Sequence, residues 1–185
     1  MISENEQLLV AACKRGESWA RRELYEKYAP AMLSVCVRYV EDRESAKDVL
    51  QDGFMKVFTH ISQFDARGKL GGWIRQIIVN TALEYLQKNE MLKMNVRMDE
   101  FSETLDEFDH RVLENVSADD LIECIAELPC RCRTVFNLHA IEGFSHAEIA
   151  QKLGIQENSS RSNFARARKS LQQMVLDLMK KSNVR

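Results

Sequence analysis

The chain has 185 residues, 45% of them hydrophobic, with 26 Lys and Arg against 28 Asp and Glu and a formal net charge of −2. That is enough for one large or two small domains with a real core. No run reaches the length of a membrane span and no signal peptide opens the chain, so membrane insertion is not expected and the protein should be cytoplasmic.

Only two Pro and seven Gly punctuate a composition rich in helix formers, so the expected fold class is all-α. Leu8, Leu9 and Ala12 give a first helix its apolar face, and Gly16 ends it. Trp19, Leu24, Tyr25 and Tyr28 continue in a second amphipathic stretch. Pro30 is expected to interrupt it. Met32, Leu33, Val35, Cys36, Val37, Tyr39 and Val40 then form a third stretch, apolar on most sides as a central helix should be.

After a charged turn at residues 41–44, Ala46, Val49, Leu50, Gly53, Phe54, Val57 and Phe58 recur at helical spacing. The other face carries Asp48, Gln51, Asp52 and Met55 as a second stripe. Spacing alone makes that stripe a solvated face; two acids, a glutamine and an exposed methionine also suit a basic partner helix.

Residues 63–72 read as a polar, glycine-bearing loop, with Trp73 opening the next helix. Ile74, Ile77, Ile78, Thr81, Ala82, Tyr85 and Leu86 form its expected buried side, and Arg75, Gln76, Asn80, Leu83 and Lys88 its other faces. A basic loop beside Trp suits single-stranded nucleic acid. Bases stack on aromatic rings, at about 1–3 kcal/mol per base, while cations hold the backbone. Taken alone, Trp73 as a core anchor is the plainer reading.

From Asp99 to Asp120 acids crowd the chain and only Arg111 is basic, which reads as a flexible acidic linker. A second domain follows. Pro129 ends its first helix; residues 130–141 form another, with Val135, Phe136, Leu138 and Ile141 apolar, and Gly143 caps it. Cys124, Cys130 and Cys132, with His139 and His146 downstream, raise the idea of a zinc site. Cys-x-Cys lacks the usual ligand spacing, however, and five cysteines are an odd count. Free thiols in or near a core are expected instead, with no metal or cofactor. Cys130 and Cys132, at i and i+2 on a helix, point apart and suit a disulfide poorly.

Ser145, three residues before Glu148, forms a capping box that starts a helix at His146. Ala147, Ile149, Ala150 and Leu153 make its expected inward face, and Gly154 supplies the left-handed cap. In the next helix Phe164, Ala167, Leu171, Met174, Val175 and Leu178 share one face. The opposite face near its start carries Ser159, Ser162, Asn163, Arg166 and Lys169, with Arg161 at the margin. This pattern describes a DNA-reading helix-turn-helix. Arg can fork onto guanine and Asn onto adenine in the major groove. A plain helical hairpin with a solvated face is the alternative.

Two helical domains joined by an acidic linker, in this order, resemble the sigma-70 family of RNA polymerase sigma factors, in its two-domain extracytoplasmic-function group. ELYEKYAPAML, ESAKDVLQDGFMKVF and FDARGKLGGWIRQIIVNTALEYLQK resemble the family's polymerase-binding, −10 reading and melting region. LIECIAELPCRCRTVFNLHAIEGFSHAEIAQKLGI and NSSRSNFARARKSL resemble its −35 reading domain. The resemblance implies a first domain over 1–93, a linker over 94–118 and a helix-turn-helix domain over 119–185. It implies that Asp48, Gln51, Asp52 and Met55 face core RNA polymerase. Phe64, Arg67, Lys69, Trp73, Arg75, Gln76 and Asn80 would then meet the −10 element and the melted strand. Ser159, Arg161, Ser162, Asn163, Arg166 and Lys169 would meet the −35 element. Promoter DNA, double-stranded and melted, and core polymerase are the implied partners; an anti-sigma factor is left open.

Some positions depart from the family pattern. Gln87 and Lys88 stand where paired arginines are usual, which implies weaker backbone contact. Ser160 stands where an apolar residue is usual, which implies a looser start to the recognition helix. Two other functions compete. A stand-alone helix-turn-helix repressor would need a dimer interface or sensor pocket, and no stretch advertises either. A metal enzyme would use Asp48, Asp52, His60 and Asp65, of which only the first two share a helix face.

Overall fold

The computed structural model describes residues 4–40, 42–89 and 117–182. The expected acidic linker therefore lies almost wholly outside the described residues. Among these, all regular structure is helical, and the chain divides into two compact units, Met1–Asn89 and Glu90–Arg185.

The first unit holds α1 (Glu4–Lys14), α2 (Ser18–Tyr39), α3 (Arg43–His60), a 3-10 turn (Ile61–Gln63) and α4 (Leu70–Lys88). Gly16, at φ +82°, closes α1: its N–H donates to the Cys13 carbonyl, and that of Glu17 to the Ala12 carbonyl. That is the glycine-closed helix end in which two otherwise orphaned carbonyls find donors. Tyr28 and Lys27 on α2 both donate to Glu6 Oε1, at 2.6 and 2.9 Å, and so tie α1 to α2. Pro30 does not interrupt. α2 is continuous through it, with Leu24, Ala29, Met32, Val35, Cys36 and Tyr39 buried along its length. Pro30 is exposed, so its ring lies on the solvent side while packing on the other side holds the helix.

Asp42 starts α3 by accepting from the Ser45 N–H at 2.7 Å. Ala46, Val49, Leu50, Gly53, Phe54 and Val57 form its buried side, as the spacing predicts. α4 crosses it so closely at Gly53 that a Cβ there would lie 2.4 Å from Ile78 Cδ1. α4 begins at Leu70, earlier than Trp73, and it buries Val79 and Leu83 as well as Ile74, Ile78, Thr81, Ala82 and Leu86. Leu83 was expected on an outer face; α4 has a wider apolar face because it packs on both α2 and α3.

The second unit holds α5 (Ala118–Glu127), α6 (Cys130–Phe136), a π-turn (Asn137–Ile141), α7 (His146–Leu153) and α8 (Glu157–Ser182). Cys124, Ile125, Leu128, Cys132, Ala167, Leu171 and Val175 form one core among α5, α6 and α8. The expected single helix over 130–141 instead widens into a π-turn, where the Glu142 N–H reaches back to the Asn137 carbonyl. Gly143, at φ +80°, turns the chain into α7. Of the expected inward face of α7 only Ile149 is fully buried; Ala147 is exposed, and Ala150 and Leu153 are half-buried.

Candidate nucleic-acid and partner interfaces

In the second unit the turn before α8 is fixed from both sides. Ser145 and Glu148 form the capping box, with the Ser145 N–H donating to Glu148 Oε2 at 2.8 Å. The Ser145 hydroxyl also donates to that carboxylate, at 2.7 Å, and these bonds hold its pKa below the usual carboxylate range. Gly154 takes φ +64° and ends α7, as expected. α8 then starts at Glu157 and presents Arg161, Ser162, Arg168 and Lys169 to solvent, with Ser159 and Arg166 half-buried. Arg161, Arg166, Arg168 and Lys169 oppose only Glu157 over this stretch, so the first turns of α8 form a cationic surface. Glu157 pairs with Arg161 across one helical turn. Arg168 was not singled out from the sequence, yet it lies seven residues after Arg161 and shares its face.

Two sequence expectations change here. Asn163 is 6% exposed, not on the outer face. Its Nδ2 donates to the Ser159 carbonyl at 2.7 Å, and its Oδ1 accepts from the Cys132 thiol at 3.5 Å. An amide held inward by α6 has no edge left for a base. Ser160, expected to loosen the start of α8, is fully buried, and its Oγ lies 2.9 Å from His146 Nδ1. Polar residues at both positions bond to the scaffold beneath them.

The scaffold carries its own unexpected groups. Arg133 is 1% exposed, and its guanidinium donates to the Ala126 carbonyl at 2.6 Å, fastening α6 to the end of α5. His139 and His146 stack at 4.2 Å, and both rings pack against Phe164 of α8. All five cysteines are free thiols. Burial pushes the Cys132 thiol above its ordinary pKa, against the pull of Arg166 and Arg131. The two histidines of the considered zinc set meet each other, while Cys132 bonds to Asn163.

In the first unit Asp48, Gln51, Asp52 and Met55 are all exposed along α3, opposite its buried side. Met55 is 63% exposed. The loop from Phe64 to Lys69 projects Asp65, Ala66, Arg67, Gly68 and Lys69 into solvent. Phe64 does not join them. It is 4% exposed and packs against Trp73, ring centroids 5.4 Å apart, while its carbonyl accepts from Lys14 Nζ at 2.8 Å. Phe64 is thus the foot of the loop, and Trp73, half-buried, leans on it. Ala66 sits at the tip with φ +62°, a left-handed backbone uncommon for a residue with a side chain. On α4, Trp73, Gln76 and Asn80 fall on one stripe at i, i+3 and i+7; Gln76 is exposed, and Trp73, Asn80 and the nearby Arg75 are half-buried. Asp65, expected as a metal ligand in the enzyme reading, instead pairs with Arg67. His60 Nδ1 bonds to the Lys56 carbonyl at 2.8 Å.

Residues 24–91 match the family model of sigma-70 region 2, and residues 118–171 match that of sigma-70 region 4. The chain is 28% identical to the RNA polymerase sigma-H factor of Pseudomonas aeruginosa, over 98% of this chain and 100% of that protein. It is 26% identical to the ECF RNA polymerase sigma-E factor of Haemophilus influenzae, over 94% of this chain and 97% of that one. Among solved structures, the fold is similar to that of the sigma factor RpoE from Bartonella quintana, crystallised with the anti-sigma factor NepR. The TM-score is 0.50 at 20% identity, covering 83% of this chain and 95% of that one.

Proposed function

Because the chain belongs to the sigma-70 family, in its extracytoplasmic-function group, we propose that its two units divide promoter recognition between them. The protein is a sigma factor: it binds core RNA polymerase and directs transcription initiation at promoters carrying −35 and −10 elements. It acts by placing and opening DNA for the polymerase, with no catalytic chemistry of its own, and it works in the cytoplasm where the polymerase is. We divide the chain into a polymerase-binding and −10 reading domain over 1–93, a linker over 94–118 and a −35 reading domain over 119–185.

The observation that carries the division is the α3–α4 pair. One helix shows an exposed acidic stripe with a bare methionine, and the other starts beneath a basic loop braced on Phe64 and Trp73. Asp48, Gln51, Asp52 and Met55 take the polymerase. Arg67 and Lys69 hold the backbone of the opened strand, and Trp73, Gln76 and Asn80, with Arg75 beside them, meet its bases. Phe64 supports that surface from below. In the second unit Arg161, Ser162, Arg166, Arg168 and Lys169 meet the −35 element in the major groove, with Ser159 at the edge and Asn163 holding the helix from inside. Gln87 and Lys88 are exposed at the end of α4, where one cation serves the DNA backbone in place of two. A protein inhibitor of the anti-sigma kind would compete for these same surfaces.

Run-off transcription with purified core polymerase tests the assignment. Added protein should produce discrete start sites that share paired upstream elements. Tight binding of the free protein to duplex DNA as a dimer, with no effect on polymerase, would establish the repressor reading instead.

A further inference from the structure

The joint of the helix-turn-helix is built around two imidazoles where packing asks only for apolar rings. His139 comes from the π-turn, His146 is the first residue of α7, and Phe164 comes from α8. The imidazoles stack nearly parallel, centroids 4.2 Å apart and planes at 19°, and Phe164 meets His139 edge-on at 4.6 Å and His146 at 5.6 Å. Each ring is also tied by a hydrogen bond. His139 Nδ1 donates to the Phe144 carbonyl at 2.7 Å, and His146 Nδ1 lies 2.9 Å from the buried Ser160 hydroxyl. Ser160 and Phe164 flank Arg161 and Ser162, so whatever displaces this joint displaces the first DNA-facing turn of α8.

Resting on the reading that this turn meets duplex DNA, we propose that His146, stacked on His139 and bonded to Ser160, is a proton-sensitive positioning residue for the recognition helix. With His146 uncharged, it holds Ser160, Phe164 seals the joint, and the −35 element is read. With His146 charged, a cation is set against the His139 ring and near Arg161, α7 and the π-turn separate, and −35 reading weakens.

The surroundings give the proton little compensation. α7 packs against α8 and the π-turn. The groups acting on His146 from those elements are Arg161 and Glu157 of α8 and His139 of the π-turn, and Glu157 is already paired with Arg161. On its own helix, Glu148 is taken up by Ser145. His146 also stands at the positive end of α7, which disfavours a cation. Burial first, then His139 and Arg161, hold the His146 pKa below its ordinary value, with Glu157 pulling the other way. A histidine so held binds its proton more readily in the released state than in the docked one. The docked state is therefore favoured above the ordinary pKa of about 6.5 and loses ground as pH falls through that value toward the lower, docked one.

The test uses the full chain in holoenzyme. Two duplex promoters, one intact and one with its −35 element scrambled, compete for it from about pH 7.5 to about pH 5.5, and the occupancy ratio cancels any general effect of pH on the polymerase. The ratio should fall toward unity at low pH, by at most about tenfold per pH unit for each proton taken up on release. H146N, whose amide oxygen can accept from Ser160 and cannot be charged, should hold the ratio flat. In parallel, NMR follows the His146 imidazole and the Ser160 and Phe164 amides in the free full-length chain. Amides that shift with the His146 titration, together with a falling ratio, support the device. Amides that ignore it overturn the device whatever the ratio does, and this arm decides if H146N fails to fold. Amides that follow while the ratio stays flat also overturn it, provided R166A lowers the ratio at high pH. If R166A has no effect there, the DNA assignment of α8 has failed instead.

Discussion

The close crossing of α3 and α4 sets the distance between the acidic stripe on α3 and the basic loop before α4, and it depends on one missing methyl group. A Cβ on residue 53 would stand 2.4 Å from Ile78 Cδ1 and 3.6 Å from its Cα. Ile78 is fully buried, so its side chain has no open space to swing into. Two opposed effects decide Gly53→Ala. Relief of glycine's helix penalty favours the variant by about 1 kcal/mol, and overpacking costs about 1–3 kcal/mol. The net should be a loss of up to about 2 kcal/mol. Ile78→Val removes the offending Cδ1 at a cost of about 0.5–1.5 kcal/mol. In that background the clash is gone and only the helix gain remains. Gly53→Ala should therefore destabilise the native chain and stabilise the Ile78→Val chain, a coupling of about 1 kcal/mol or more. Both tryptophans, Trp19 and Trp73, lie in the first unit, so urea unfolding followed by tryptophan emission reads this unit alone. The same sign for Gly53→Ala in both backgrounds would refute the account of the crossing.

Reversing the stripe with Asp48→Lys plus Asp52→Lys should abolish co-purification with core polymerase while circular dichroism stays helical, since both side chains are exposed; retained binding refutes the polymerase assignment. Arg161→Ala and Arg166→Ala should each cost about 1–3 kcal/mol on promoters with a matched −35 element, with polymerase affinity unchanged. Lys69→Ala should slow initiation on closed duplex more than on a pre-melted template, and equal effects would exclude a melting role. Burial pushes the Cys36 thiol up to about 12 and raises those of Cys13, Cys124 and Cys132. Alkylation of the native chain near neutral pH should therefore mark the half-exposed Cys130 first, as mass spectrometry would show, and all five only after unfolding.

What was legible in the sequence was what short-range chemistry decides. The Ser145–Glu148 box and the Gly154 cap need only neighbours in the chain, and both form as read. The two faces of α3 follow from a clean period. Pro30 misled because a local rule was set against packing along the whole of α2, and packing won. Asn163 misled for a different reason. Its polarity put it on the outer face, yet Ser160, Asn163 and Ala167, at i, i+3 and i+7, are all buried on the inward stripe of α8. The π-turn, the buried Arg133 and the histidine stack depend on contacts between helices, for which no short pattern exists.

Each unit closes on its own buried residues: Leu24, Phe54, Ile74 and Ile78 in one, Cys124, Ile125, Leu171 and Val175 in the other. In a genetic screen, lesions in the two cores would not be equivalent. On the proposed division, loss of the first core removes the polymerase-facing stripe, and the allele should behave as a recessive null. Loss of the second should leave a chain that still occupies polymerase and meets the −10 element yet cannot read the −35 element. Such an allele should act as a dominant poison, at a strength set by its dose relative to the intact copy.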